Sequence, residues 1–377
     1  MASRFVDVHI IQTVPPSNLN RDDAGSPKQA VYGGVRRARV SSQAWKRATR
    51  KLFAEKTPPL AQATRTQRIA KLLTDRLTAR TELDEDRAHD ISSALLEQLG
   101  IKKKEKQESD TAYLLFFGRA QIESLVELVI PLLPEIADLE PDALVDALSG
   151  VSVEDALTSG HPIDVALFGR MVADLPHLNV DAAVQVAHAI STHPVETEFD
   201  YYTAVDDEKS RAAGDDAGAG MIGTVEFNSA TLYRYASVAV ELLKENLDGE
   251  VTVTVKGVRD FVDGFVRSIP SGHQNAFAHR TLPDAVVVVT REDQPVNLVS
   301  AFEEPVPPRQ ITTQSIVRLA GELESVAERW GLEPNAVLAN YRDLNGSSEA
   351  VAALGDSVRF DQLLDSLEAL ISEAITQ

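Results

Sequence analysis

The chain has 377 residues and a formal net charge of -20, from 57 acidic and 37 basic side chains. It has no cysteine, which excludes disulfides, thiolate metal sites and cysteine nucleophiles and suits a reducing cytoplasm. Such acidity argues against a surface that binds nucleic acid everywhere, and leaves room for one focused basic groove.

Phe5 to Val14 holds Phe5, Val6, Val8, Ile10, Ile11 and Val14, the pattern of a buried strand, and Pro15 and Pro16 end it. Residues 17–35 are polar, with Gly25, Pro27, Gly33 and Gly34, and read as a long loop. Arg36–Val40 reads as a short strand. Ser41 or Ser42 then caps a helix to about Ala54, stopped by Thr57, Pro58 and Pro59.

From Leu60 to Leu178 the periodicity is helical, with helices expected over 64–81, 85–99, 110–130, 141–148, 152–158 and 163–173 and a KKKEK run at 102–106. Residues 180–193 alternate like a strand, and 196–220, rich in Asp, Gly and Ala, read as a hairpin or long loop. Strands are expected over 223–229, 284–290 and 294–301, and helices over 238–246, 258–268, 309–331, 334–343 and 357–376. Strands near both ends around a helical block predict one α+β sheet domain carrying an inserted helical domain. The most apolar stretch, Ile122–Ile136, contains Glu123, Glu127, Pro131 and Pro134 and is too short and charged to span a bilayer. The N-terminus shows no long apolar run of a secretory signal, so a cytoplasmic protein is expected.

The charge pattern points to a site. Residues 24–54 carry Lys28, Arg36, Arg37, Arg39, Lys46, Arg47, Arg50 and Lys51 and not one carboxylate, where the chain's average would place about five. Gln43, Lys46, Arg47 and Arg50 recur at helical spacing and share one face, while Trp45, Ala48 and Leu52 share another that can bury. Ser41 and Gln43 lie in the first turn, where free backbone N–H groups favour anions. The loop before it adds Asn20, Arg21 and Lys28. This assembly fits a phosphate cradle or a solvated basic face.

Other chemistry has weaker support. No Walker A string and no G-x-S-x-G elbow occurs, and the eight histidines are scattered without metal-ligand spacing. No catalytic set, metal site or cofactor is expected. Asp22 and Asp23 read as a turn pair, or as ligands of a metal that cleaves a phosphodiester. SGHQNAFAHR, residues 271–280, fits either a binding loop or a packed turn.

The run VHIIQTVPPSNLNRDDAGSPKQAVYGGVRRARVSSQAWKRATRK, with its strings NLNRDD, YGG-x-RR and RVSSQ-x-x-KRA, resembles the Cas7 (Cse4/CasC) family of type I-E CRISPR systems. LPHLNVDAAVQVAHAISTHPVETEFDYYTAVDD, GTVEFNSATLYRY and SGHQNAFAHRTLPD extend the likeness over nearly the whole chain, with residues 60–160 carried by position more than by motif. The resemblance implies an α+β fold: a modified RRM (ferredoxin-like) palm with an inserted helical fingers domain and a thumb β-hairpin. The palm would take residues 1–59 and 180–377, the fingers 60–179 and the thumb about 199–222.

The implied function is that of a crRNA-binding backbone subunit of Cascade, oligomerising along the guide and presenting it for pairing with target DNA in antiviral defence. The family's phosphate contacts fall on Arg21, Lys28, Ser41, Gln43, Lys46 and Arg50, and Asn20 and Arg47 stand among them. Implied partners are CRISPR RNA, target DNA through the guide, neighbouring Cas7 copies, and the Cas5, Cas6, large and small subunits, with no membrane and no enzymatic activity. The alternative is a metal-dependent ribonuclease using Asp22 or Asp23, because related type III backbone subunits cleave RNA with a loop aspartate.

Overall fold

β1 (Phe5–Ser17) places Val6, Val8 and Ile10 on one face and Asp7, His9 and Ile11 on the other, and all six are fully buried. A strand covered on both faces buries the side chains of both, so Asp7 and His9 need polar partners inside. The computed structural model describes residues 4–99, 103–104, 107–111, 114–172, 175–204, 221–344 and 349–376. After β1 come β2 (Gln29–Tyr32), β3 (Val35–Val40) and α1 (Ser42–Lys56). The middle of the chain holds β4 (Ala63–Thr66), α2 (Ile69–Arg80), α3 (Glu85–Gln98), β5 (Lys103–Lys104), β6 (Gln107–Thr111), β7 (Leu115–Gly118) and α4 (Arg119–Val129). Short helices α5 (Leu133–Ile136), α6 (Pro141–Leu148), α7 (Val153–Thr158) and α8 (Ile163–Phe168) follow. Then come β8 (Val184–Val186), β9 (Ala189–Ser191), β10 (Glu198–Ala204), β11 (Met221–Ala239), α9 (Val240–Asn246), α10 (Val251–Arg267) and α11 (Gln274–Phe277). β12 (Ala285–Arg291), α12 (Ile311–Trp330), β13 (Ala336–Tyr341) and α13 (Phe360–Thr376) complete the order.

The chain divides into two compact units. The first comprises Met1–Thr49, Val186–Ser237 and Phe261–Leu367. Its sheet runs β13-β12-β1-β11-β9-β3-β2. The pairs β1/β12, β12/β13, β9/β11, β3/β9 and β2/β3 are antiparallel. Ile11, Tyr233, Tyr235, Val287 and Val289 on one face of the sheet form a core with Ile316, Leu319 and Leu323 of α12. The result is a mixed α/β fold with an antiparallel sheet.

The second unit comprises Arg50–Gln185, Val238–Asp260 and Glu368–Gln377. Its core joins Leu73 and Leu77 of α2, Ile91 and Leu95 of α3, and Ile122, Leu125 and Val129 of α4. Asp84 caps α3, its carboxylate accepting from Arg87 N at 2.8 Å. β4 and β7 pair antiparallel, from Ala63↔Gly118 to Thr66↔Leu115.

Several expected elements are corrected. Residues 110–130 are not one helix: Leu115–Gly118 is a fully buried strand against β4, and helix begins at Arg119. Residues 294–301 form no strand: a 3₁₀ turn runs over Leu298–Phe302, which Asn297 starts by accepting from Val299 N. Residues 334–343 are β13, not helix, because pairing with β12 decides a six-residue run that local pattern leaves open. The strand expected at 223–229 extends to Ala239.

The sheet buries a polar network in the first unit. Asp7 Oδ1 accepts from Tyr235 OH (2.8 Å), its Oδ2 accepts from Val296 N (2.9 Å), and Arg291 Nε lies 3.3 Å from Oδ2. His9 Nδ1 donates to Tyr233 OH at 3.0 Å, and that hydroxyl donates to Asn297 Oδ1. Burial, then the Arg291 charge, lowers the His9 pKa to about 3.

An unfolded histidine titrates near ~6.5. The unfolded chain therefore takes up a proton that folded His9 refuses, and stability falls as pH drops from that value toward the folded one. Burial lowers the pKa values of His161 and His193 in the same sense, whereas burial raises that of Asp7, which acts oppositely at the acid end. Chemical denaturation should give an unfolding free energy lower by about 1 kcal/mol at roughly pH 5.5 than at roughly pH 7 from His9 alone. His9→Gln should remove that part of the slope; an unchanged slope would disprove the assignment.

Candidate nucleic-acid interface

The loop after β1 is built from side-chain bonds to backbone. Asn18 is fully buried, and its Nδ2 donates to Gly25 O (3.0 Å) and Glu226 O (2.9 Å). Asp22 Oδ1 accepts from Ala24 N (2.9 Å) and Ser26 N (3.0 Å), forming an Asx turn, with Gly25 at φ 91°. This returns the chain so that Lys28 N donates to Asn20 O at 2.9 Å. Asn20 Oδ1 accepts from Ser41 N at 2.9 Å and so fastens the loop to the start of α1.

Ser41 is the N-cap of α1. Its Oγ accepts from Ala44 N at 3.3 Å, and its carbonyl accepts from Trp45 N at 3.2 Å. Ser42 N donates to His188 Nδ1 at 3.0 Å, and the first turn holds no acid. Trp45 is buried, edge-on to Phe265 at 6.5 Å, with the Arg234 guanidinium 3.7 Å over its ring. Thr49 is fully buried and donates to Trp45 O at 3.0 Å. The buried stripe is therefore Trp45, Thr49 and Phe53, whereas Ala48 and Leu52 are half-buried. Gln43 and Arg47 are exposed, and Lys46 is half-buried, with burial lowering its pKa.

The first unit contains Asn20, Arg21, Lys28, Ser41, Gln43, Lys46 and Arg47. Asn20 Oδ1 and Ser41 Oγ are engaged as acceptors in the loop-to-helix join. Arg21 is exposed. Lys28 lies near His188, whose pKa is lowered by burial and then by the charges of Arg39 and Lys28. Arg50 is assigned to the second unit, where its guanidinium lies 4.3 Å over the Phe116 ring and Arg65 shares that ring at 5.1 Å. There a cavity of about 60 Å³ is lined by Arg50, Phe53, Thr57, Gln62, Ile163 and Asp164. Burial raises the Asp164 pKa against the opposing charge of Arg50.

Two residues carry roles that the sequence did not announce. Arg37 is fully buried: Nε donates to Tyr32 O (3.2 Å), Nη1 to Ser191 O (2.9 Å), and Nη2 to Phe302 O (2.8 Å) and Glu303 O (3.2 Å). It fastens β3 to distant segments. His188 receives a helix N–H, which no spacing pattern signals.

Among the described residues no group of three or more His, Asp or Glu side chains could hold a metal ion, and no helix is long and apolar enough to cross a membrane. β10 and β11 pair antiparallel from Glu198↔Phe227 to Ala204↔Met221, and Phe199, Tyr201 and Tyr202 are exposed. Asp206, Asp207, Asp215 and Asp216, and Lys102, Glu105 and Lys106 of the KKKEK run, lie outside the described residues.

The family described as CT1975-like protein matches residues 6–366. A chain of a solved "CRISPR RNA-guided surveillance complex, pre-nicking" superposes with a TM-score of 0.83 at 34% identity, covering 97% of this chain and 100% of that one. A chain of a "CRISPR RNA-guided surveillance complex" superposes with a TM-score of 0.71 at 28% identity, covering 97% and 99%. No curated protein sequence matches the chain.

The Arg37 geometry separates structural from binding cations. Arg37→Ala strips a buried donor from several carbonyls and should cost about 3 kcal/mol, whereas Arg36→Ala on the exposed side should stay within about 0.5 kcal/mol. Denaturant midpoints of the two variants test this, and equal midpoints would refute the staple role.

Proposed function

The chain belongs to the CT1975-like protein family, and from that membership we propose that it is the Cas7 backbone subunit of a type I-E CRISPR surveillance complex. In this reading it binds CRISPR RNA through the phosphate backbone and stacks with copies of itself along the guide. The observation that carries the proposal is the carboxylate-free basic segment, folded so that its loop and the first turns of α1 are joined by Asn20 and Ser41. The full-length likeness to chains of RNA-guided surveillance complexes supports the same reading.

Phosphates carry no sequence information, so a surface that holds them accepts any spacer. Sequence recognition is then left to base pairing between guide and target DNA. Lys28, Lys46 and Arg47 act as cations near the backbone, Arg21 and Gln43 as donors, and Asn20 and Ser41 as the frame that positions them. Acidity over the rest of the chain disfavours nucleic acid away from this surface. The first unit's sheet serves as an RRM-like palm, the second unit's helices as fingers, and the β10–β11 hairpin as a thumb. Head-to-tail contacts between copies build an open filament, which Cas5, Cas6 and the large and small subunits complete. The subunit works in the cytoplasm without a metal or cofactor and holds RNA without cutting it. Asp22, whose Oδ1 is engaged by two backbone N–H groups, serves the turn in this reading.

Lys46→Ala and Arg47→Ala should weaken binding equally for unrelated RNA sequences and reduce the slope of log K against log salt by about one each. Losses that depend on sequence would overturn backbone recognition. In the same preparations RNA should stay intact with Mg²⁺ or Mn²⁺. Cleavage abolished by Asp22→Ala or Asp23→Ala would establish the ribonuclease instead.

A further inference from the structure

The segment Ser271–Arg280 packs directly on the loop that carries Arg21. A Cβ at Gly272 would lie 2.4 Å from Leu19 O and 2.6 Å from Asn18 O, so the backbones touch where only glycine fits. On either side of α11, His273 and Ala278 are non-glycine residues at φ 48° and 45°. Such left-handed backbone persists where surrounding contacts enforce it, and it clusters at functional sites. Here His279 Nε2 bonds the Pro270 carbonyl from a buried position, at 3.0 Å. The His273 ring stands edge-on to Phe277 at 6.2 Å, and Phe277 packs on Phe227 of β11 at 5.8 Å.

This platform ends on a guanidinium. Arg21 Nη1 donates to His273 Nε2 at 2.8 Å. A guanidinium cannot accept, so Nε2 offers a lone pair, the proton sits on Nδ1 and the imidazole is neutral. A carboxylate at this position would also hold Arg21 but would cancel its charge. A neutral acceptor orders the long side chain and leaves the full positive charge, and the remaining N–H groups, for an anion. Asp22, the adjacent carboxylate, is turned to the backbone N–H groups of Ala24 and Ser26.

We infer that His273 is a positioning residue for RNA binding, fixing the Arg21 guanidinium so that its free donors meet a phosphate of the guide. This rests on the RNA-binding reading of the same surface. It makes the 271–280 loop part of the interface as well as a packed turn.

A double-mutant cycle on the full chain, titrated with a labelled RNA of guide length, tests it. His273→Ala should weaken binding about threefold to tenfold, the penalty of leaving one long side chain to be ordered on binding. In an Arg21→Ala background the same change should have no further effect. His273→Gln, which retains an acceptor, should recover most of the loss. Melting temperatures of the variants identify any loss that comes from unfolding, and His273→Gln then carries the comparison with Arg21→Ala. Additive losses, or unchanged binding by His273→Ala beside a clear loss in Arg21→Ala, would overturn the positioning role alone. If Arg21→Ala, Lys46→Ala and Arg47→Ala all bind RNA as tightly as the parent, the RNA reading falls and the inference with it.

Discussion

Asn20 accepts from Lys28 through its backbone carbonyl and from Ser41 through its side chain. These two bonds give a loop of low regular structure a fixed place beside a helix start. They set the loop that carries Arg21 and Lys28 beside the helix start that carries Gln43, Lys46 and Arg47. Ordering a flexible loop at the moment of binding costs affinity, so a frame formed in advance lowers that cost. Asn18 performs the complementary task by tying the same loop to Gly25 and Glu226, with its amide out of solvent.

The basic segment also differs from the rest of the molecule in how its charges are partnered. In the second unit, cations meet carboxylates: Lys71 with Asp75, Arg76 with Glu123, Arg80 with Glu127. Among the described residues, the ion pairs leave out the cations of 24–54. Neutral groups hold Arg37, through carbonyls, and Arg21 in the loop just before, through an imidazole, whereas Arg50 meets a ring face and also feels the charge of Asp164. Neutral partners fix geometry and keep the local potential positive, and a chain with net charge -20 needs that wherever an anion is to be drawn in.

Much of this was legible in residue order. β1, α1 and β12 announce themselves because burial on two faces or one leaves a strong local period. The carboxylate-free basic segment is visible because clearing carboxylates from a contiguous stretch is a one-dimensional signal. β13 was not legible: Ala336–Tyr341 suits helix or strand, and its neighbour β12 settles the matter. Leu115–Phe117 is lost in the same way, since its partner β4 lies some fifty residues earlier. Arg37 looked like its neighbours, because the carbonyls that claim it come from residues 191, 302 and 303. Arg50 shares a helical face with Lys46, yet the chain passes from one unit to the other at Thr49, a division that periodicity does not mark.

The contact at Gly272 ties two distant segments to one another. The missing side chain there is the space occupied by the carbonyls of Asn18 and Leu19. Any drift to a larger residue displaces that loop, and the displacement arrives at Arg21, whose bond partner is the very next residue, His273. Two segments 252 positions apart thus share one packing constraint. A side chain at 272 has no room unless the 18–21 loop moves with it.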